Sequence, residues 1–515
     1  GLWIGSALSS DKGTIRSVKK LGDIIGLINE EYVEPVNVDS LVEATIPQLL
    51  EKLDPHSTYI PASDLKAVND ELEGSFYGIG ITFMMMNDTI TILEVISGGP
   101  SEKVGIMAGD RIISANDSIL SGKGLSNEKV ISKLRGEKDT KVKIGIKRSS
   151  SKDLLYYDVI RGEIPITSID ASYIIEPGIG YIKVNKFGRT TYSEYLTNLA
   201  QLSSEGAEKF IIDLRGNGGG YLDMAILMAN ELLPAGKLIV FTKGRSKHDT
   251  MATHSDGVGS FQKNEVVVLI DEYSASASEI LAGAIQDNDR GLVIGRRTFG
   301  KGLVQAQLPF SDGSAMRLTV ARYYIPSGRS IQRPYTNGDE MAYRMDLVNR
   351  IDHHELFSKD SIRLDKSKEY HTSGGRVVYG GGGVMPDIFI PVDTTKVSDF
   401  YSKVWDANIL YRYTLDFTDR NRAKLDNVAT LEDLDAVLAS ADLITEFLAY
   451  AERHGVTATP ADIDASREVL LTQIRAYIGR NALGDESGYY YNIYPIDDVM
   501  LRAVKELKAG GLKLK

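Results

Sequence analysis

Between residues 180 and 391, short apolar runs alternate with stretches whose apolar positions recur at helical spacing, and this alternation limits the fold more than any other feature of the chain. The runs at 180–184, 209–214, 266–270, 293–294 and 317–321 read as buried strands. Strands alternating with helices indicate an α/β domain. Inside it, residues 337–375 are polar, rich in Asp, Arg, Lys and His, and weakly periodic, so they read as a surface insertion.

The flanking regions have other patterns. Apolar residues recur at helical spacing from 15 to 72, as in Leu21, Ile24, Ile25, Leu27 and Ile28. The helices stop at Asp54-Pro55-His56-Ser57, because Pro55 lacks an amide hydrogen and disfavours helix in the residue before it. From 74 to 161 the runs are short, β-type and punctuated by glycine and asparagine. After 392 the pattern is helical again, with capping-type starts such as Thr430-Leu431-Glu432-Asp433. The expected order is a helical region at 1–73, a β-rich module at 74–163, the α/β core at 164–398 and a helical region at 399–515. A chain of 515 residues, 43% hydrophobic, is long enough for several such cores.

Charge and composition exclude some partners. The net charge is −11 with no Lys/Arg-rich block, so nothing matches a nucleic-acid backbone. The chain has no cysteine, which removes disulfides, thiolate metal sites and a cysteine nucleophile. No run reaches the roughly 18 apolar residues of a membrane span. The start, Gly1-Leu2-Trp3-Ile4-Gly5-Ser6-Ala7-Leu8, reads as the tail of a signal peptide or membrane anchor.

Three turns carry chemistry. Tyr273-Ser274-Ala275-Ser276-Ala277-Ser278-Glu279 follows a strand-like run and opens a helical one. Small residues there let a hydroxyl stand exposed at a helix N-terminus, where the dipole favours negative charge; the same residues also suit an ordinary helix cap. In Thr298-Phe299-Gly300-Lys301-Gly302, a lysine sits between two glycines, either as a turn residue or as a buried base. Lysine takes a proton from a serine only when burial lowers its pKa toward the working pH. Gln305, four residues on, has a side-chain carbonyl that can orient the amine. The third, Asp213-Leu214-Arg215-Gly216-Asn217-Gly218-Gly219-Gly220, lacks the lysine and hydroxyl of a phosphate-binding loop. Its amides suit an oxyanion, a contribution typically worth about 2.7–4 kcal/mol per donor.

Two resemblances unite these segments. Gly78-Ile79-Gly80-Ile81, Gly105-Ile106-Met107-Ala108-Gly109-Asp110 and Leu134-Arg135-Gly136 resemble a PDZ domain. That likeness implies a loop whose amides meet a peptide's terminal carboxylate and a strand edge that pairs with the peptide. The serine, lysine and glycine-rich turns, with Leu53-Asp54-Pro55-His56-Ser57, Tyr324-Ile325-Pro326-Ser327-Gly328-Arg329 and Val384-Met385-Pro386-Asp387, resemble the carboxyl-terminal processing (tail-specific) protease family. The resemblance covers roughly residues 21–391 and implies a multidomain α/β chain: a crotonase- or ClpP-like protease core, an inserted PDZ domain and helical terminal regions.

Carried over position by position, it makes Ser276 the nucleophile, Lys301 the base and Gln305 its assistant. The oxyanion donors fall on the amide of Ala277 and on Gly218 or Gly219, with Gly218 standing where many relatives have proline. It implies protein or peptide substrates with free C-termini, no metal or organic cofactor, and an exported, periplasmic or inner-membrane-anchored location. Terminal helices that join a second copy are a further expectation. A histidine triad or zinc site finds no support in His56, His248, His254, His353, His354, His371 or His454, none of which sits in HExxH-type spacing. Two other classes share parts of the pattern: a crotonase-like acyl-CoA enzyme, which has no use for a PDZ module, and a peptide-binding scaffold with a resting protease centre.

Overall fold

A computed structural model describes residues 12–510, apart from 87, 97, 123, 149, 247–249 and 484–485. The apolar start at 1–8 and His248 lie outside the described residues.

The apolar runs of the α/β region form a six-stranded sheet in the order β1 (Ile169–Glu176), β2 (Ile179–Val184), β3 (Lys209–Asp213), β4 (Glu265–Ile270), β5 (Leu292–Gly295) and β6 (Ile388–Phe389). β1 and β2 pair antiparallel, and the later neighbours pair parallel. The runs lack polar alternation because both faces of these strands are covered. Phe210, Ile212, Val266 and Val268 face a core built with α1 (Thr191–Ser204), α2 (Leu222–Leu232) and α3 (Ala277–Asp287). Ile211, Val267 and Leu269 face the other way, against α4 (Asp498–Lys508).

The helical stretch after 398 therefore divides. Helices between 399 and 483 gather around Phe400, Tyr413, Phe447 and Ile474 in a core of their own. α4 instead lays Val499, Met500, Ala503, Val504 and Leu507 on the sheet. Its far end is fixed by Lys209, whose Nζ donates to the Leu507 carbonyl at 2.6 Å, and by a 2.9 Å ion pair between Lys508 and Glu176.

The run at 317–321 belongs to another ladder, within the strand Ala315–Tyr324. The end of that strand pairs antiparallel with Leu238–Gly244, placing Phe241 opposite Tyr324. Residues 337–375, read as a surface insertion, contain the helix Glu340–Asp352 and the strand Glu369–His371, which pairs with Val377–Tyr379 just beyond them. Two of its charged residues are buried, Arg350 and Glu355, and the latter pairs with Arg297 at 2.6 Å.

The β-rich module is an antiparallel sheet with Ile81–Met86 at one edge and the helix Asn127–Leu134 over a core of Ile79, Ile90, Ile92, Val130 and Ile144. It enters through Ser75–Gly78 and leaves through Gly162–Pro165, which pair with each other.

The chain divides into two compact units, the smaller comprising residues up to 66, 305–320 and 335–346. In that unit the helices Lys12–Glu31 and Val38–Glu51 precede the short strand Thr58–Ile60, which pairs with 315–317. The Asp54 carboxylate accepts from the amides of His56 and Ser57 and from the hydroxyls of Ser57 and Thr319, which turns the chain out of the helix.

Candidate active site

The serine turn is built by its own strand and helix. After β4, the Asp271 carboxylate accepts from the amides of Gly216 (2.9 Å), Tyr273 (3.0 Å) and Ser274 (3.1 Å). Ser274 and Ser278 are fully buried, and their hydroxyls donate to the carbonyls of Leu214 and Asn217, both at 2.8 Å. Ser276, between them, is half-buried. Its backbone is at φ 57° and ψ −114°, a region costing a non-glycine residue on the order of 1–3 kcal/mol. Such strain persists where the surroundings impose it, and here every residue of α3 that follows is buried. Ser276 thus stands at a sharp strand-to-helix turn, ahead of the positive end of a helix dipole.

The lysine loop is held against that turn by one carboxylate. Oε1 of Glu279 accepts from the Thr298 hydroxyl (2.5 Å) and the Gly300 amide (2.8 Å). Oε2 accepts from the amides of Ser276 (2.9 Å) and Lys301 (2.8 Å). Burial pushes the Glu279 carboxyl up to about 7, against the four donors, which each favour its ionised form. The Tyr323 hydroxyl makes a second clamp, donating between the carbonyls of Ser276 (3.1 Å) and Lys301. Behind the loop, Arg350 donates to the carbonyls of Thr298 (2.8 Å) and Phe299 (3.1 Å). Gly300 is at φ 90°, and a Cβ there would meet Arg333 and Gly383 at 3.1 and 3.2 Å. The Lys301 side chain is half-buried.

Facing the serine is the glycine-rich turn after β3. A Cβ on Gly219 would fall 2.8 Å from the Cβ of Ser276 and 3.0 Å from the Ala277 nitrogen, at φ 103°. Only glycine permits this approach. The Gly219 amide donates to Oδ1 of Asn217 at 2.8 Å, while the Asn217 carbonyl accepts from the Ala275 amide at 3.0 Å. Gly218 is exposed, and among the described residues no protein acceptor takes its amide hydrogen or that of Ala277. The first amides of a helix have no intrahelical acceptor, which accounts for Ala277.

Of the residues singled out in the sequence, the structure brings together Ser276, Ala277, Lys301, Gly218 and Gly219 in one place. Gln305 lies in the strand Leu303–Pro309, and its side-chain amide donates to the His56 carbonyl. In the β-rich module Gly78 belongs to the entry ribbon, Ile79 is buried in the core, Gly80 is at φ 74°, and Ile81 opens the edge strand. Sequence reasoning passed over Glu279, Tyr323 and Arg350. Glu279 was within reach, since Ser276 and Glu279 have the Ser-x-x-Glu spacing of a capping box.

Comparison with known proteins gives the family. Residues 178–340 match Peptidase family S41, residues 78–159 match the PDZ domain, and residues 400–484 match a family of unknown function, DUF8443. A carboxy-terminal-processing protease of Bartonella bacilliformis is 34% identical over 328 residues, which are 63% of this chain and 74% of that protein. A probable CtpA-like serine protease of Staphylococcus aureus is 32% identical over 317 residues, 61% of this chain and 62% of that protein. Among solved structures, the photosystem II D1 C-terminal processing protease is 25% identical, covering 72% of this chain and 92% of that one at a TM-score of 0.36. These matches define a PDZ-bearing serine peptidase of the S41 class. Within that class the chain belongs to the carboxy-terminal-processing protease family.

Proposed function

We propose that the chain is an endopeptidase that cleaves unfolded or C-terminally tagged proteins, with Ser276 as nucleophile and Lys301 as general base. The observation that carries this reading is the shared clamp: Glu279 and Tyr323 each bind the backbones of both Ser276 and Lys301, so the two residues are held in register. Neutral Lys301 takes the hydroxyl proton as Ser276 attacks the peptide carbonyl. The resulting oxyanion is met by the amides of Ala277 and Gly218; the Gly219 amide is already occupied by Asn217, and its residue supplies clearance. The Lys301 ammonium then protonates the leaving amine, and water releases the acyl group.

Substrate delivery is assigned to the PDZ domain. Its edge strand Ile81–Met86 has a sheet neighbour on one side only among the described residues, so a peptide can add on the other. Gly78, Ile79, Gly80 and Ile81 are the proposed carboxylate loop. The relatives are bacterial proteins, and an exported, periplasmic location suits a protease that meets unfolded chains. No described helix is long and apolar enough to cross a membrane.

The test compares an unstructured protein with a free C-terminus against the same protein with an amidated one, by mass spectrometry of the products. Wild type cuts the free form faster, and Ser276→Ala cuts neither. Equal rates on both forms remove the PDZ role, and an active Ser276→Ala protein removes the mechanism.

A further inference from the structure

The proposed oxyanion turn begins at a buried charge knot that includes Asp497, just ahead of α4. Arg215, the last side chain before Gly216, donates from Nε and Nη2 to the carboxylate of Asp213 at 2.6–3.0 Å. Asp213 is fully buried and also accepts from the Tyr181 hydroxyl at 2.8 Å. Burial alone would raise its carboxyl, but the charges of Arg215 and Lys183 pull it down to about 2. Lys183 donates to the Arg215 carbonyl, which fixes the peptide that leads into the turn.

The fourth member comes from 282 positions downstream. Asp497 pairs with Nη1 of Arg215 at 2.8 Å, and its side chain is 14% exposed. The same carboxylate caps α4, accepting from the amides of Val499 and Met500, both at 3.0 Å. Two cations and two anions therefore balance, and removing Asp497 leaves a net positive charge beside the turn. Next along the chain are Gly216, bound to Asp271, and Asn217, whose carbonyl is tied to the serine turn. Arg215 is therefore joined through two residues to the turn whose Gly219 lies against Ser276. Misplacement by about 1 Å can cost about 10²-fold in rate.

We propose that Asp497 is a positioning residue for the oxyanion turn, so that the C-terminal helix α4 helps set the catalytic geometry through Arg215. This rests on the serine–lysine reading and goes beyond it, because it gives the chain's last helix a part in peptide hydrolysis. No contact between Asp497 and substrate is involved.

The experiment uses the full chain with Asp497→Asn, which keeps a good helix cap but loses the charge. It reads kcat and KM on a peptide substrate, and the affinities of a peptide aldehyde, whose adduct with Ser276 carries the oxyanion, and of a product peptide. The expected result is a kcat about tenfold lower, KM within about twofold, aldehyde affinity weakened by the same factor as kcat, and product affinity unchanged. Asp497→Glu, which restores the charge, recovers most of the loss. Unchanged kcat in Asp497→Asn overturns the proposal, and so does a fall in kcat that leaves aldehyde affinity intact. Ser276→Ala separates the two levels: if that protein is active, the serine–lysine reading has failed, whereas a dead Ser276→Ala beside a normal Asp497→Asn removes only the role of Asp497.

Discussion

The turn that carries Ser276 and the loop that carries Lys301 are held in different ways. The serine turn is supported from within: β4 leads in, α3 leads out, and Asp271, Ser274 and Ser278 make its bonds within a few positions of the nucleophile or to the adjacent glycine-rich turn. The lysine loop has no helix of its own and depends on side chains from elsewhere, namely Glu279, Tyr323 and Arg350. The proposed nucleophile thus sits on a strained elbow built by its own strand and helix, whereas the proposed base is positioned by contacts that can each be removed.

The largest effect tests whether the two halves are equally necessary. Ser276→Ala and Lys301→Arg are both expected to lower kcat by about 10⁴-fold or more; arginine keeps the charge but cannot give up its proton. Activity in the Lys301→Arg protein on casein breaks the pairing of the two regions. Next, Glu279→Gln replaces an oxygen that accepts two hydrogen bonds with a donor facing donors, which separates turn and loop, and kcat falls about 10²-fold while the protein remains folded by circular dichroism. Arg350→Met acts on the lysine side alone. It removes the buried donor to the Thr298 and Phe299 carbonyls, costs about 1–3 kcal/mol in denaturant unfolding, and lowers kcat about tenfold with the affinity of a peptide aldehyde retained.

The smallest effect is on the pH dependence of stability. Glu279 has a carboxyl raised from 4.5 to about 7 in the folded protein. Its contribution to stability is therefore complete below pH 4.5 and is lost as the pH rises to about 7, at about 1.4 kcal/mol per unit of raise. Thermal unfolding of wild type is expected to lose stability between pH 4.5 and about 7 more steeply than that of Glu279→Gln. Parallel curves show that the carboxyl titrates normally.

Much of this arrangement was legible in the sequence because it is local. Runs such as 209–214 and 266–270 are apolar on both alternations, and burial on both faces is what that pattern means. The serine, lysine and glycine-rich turns stand out as candidates through their small residues, and the structure ties the first two together through Glu279 and sets Gly219 against Ser276. What stayed illegible depends on distant partners. Arg350 lies in a polar stretch whose composition suits solvent, yet it is buried and donates to the carbonyls of Thr298 and Phe299, more than fifty positions upstream. The choice between Gly218 and Gly219 turns on where one side-chain oxygen of Asn217 points. The stripe of α4 reads the same whether it meets another helix or, as here, the protease sheet.

The pairing of Ser75–Gly78 with Gly162–Pro165 has a consequence for how such chains arise. Residues 79–161 depart and return at neighbouring points, about 4.8 Å apart across the ladder. Two crossovers in the coding sequence, one at each leg of the ribbon, exchange the whole recognition module and leave the hydrolytic core uncut. Such an exchange cuts no strand of the six-stranded sheet.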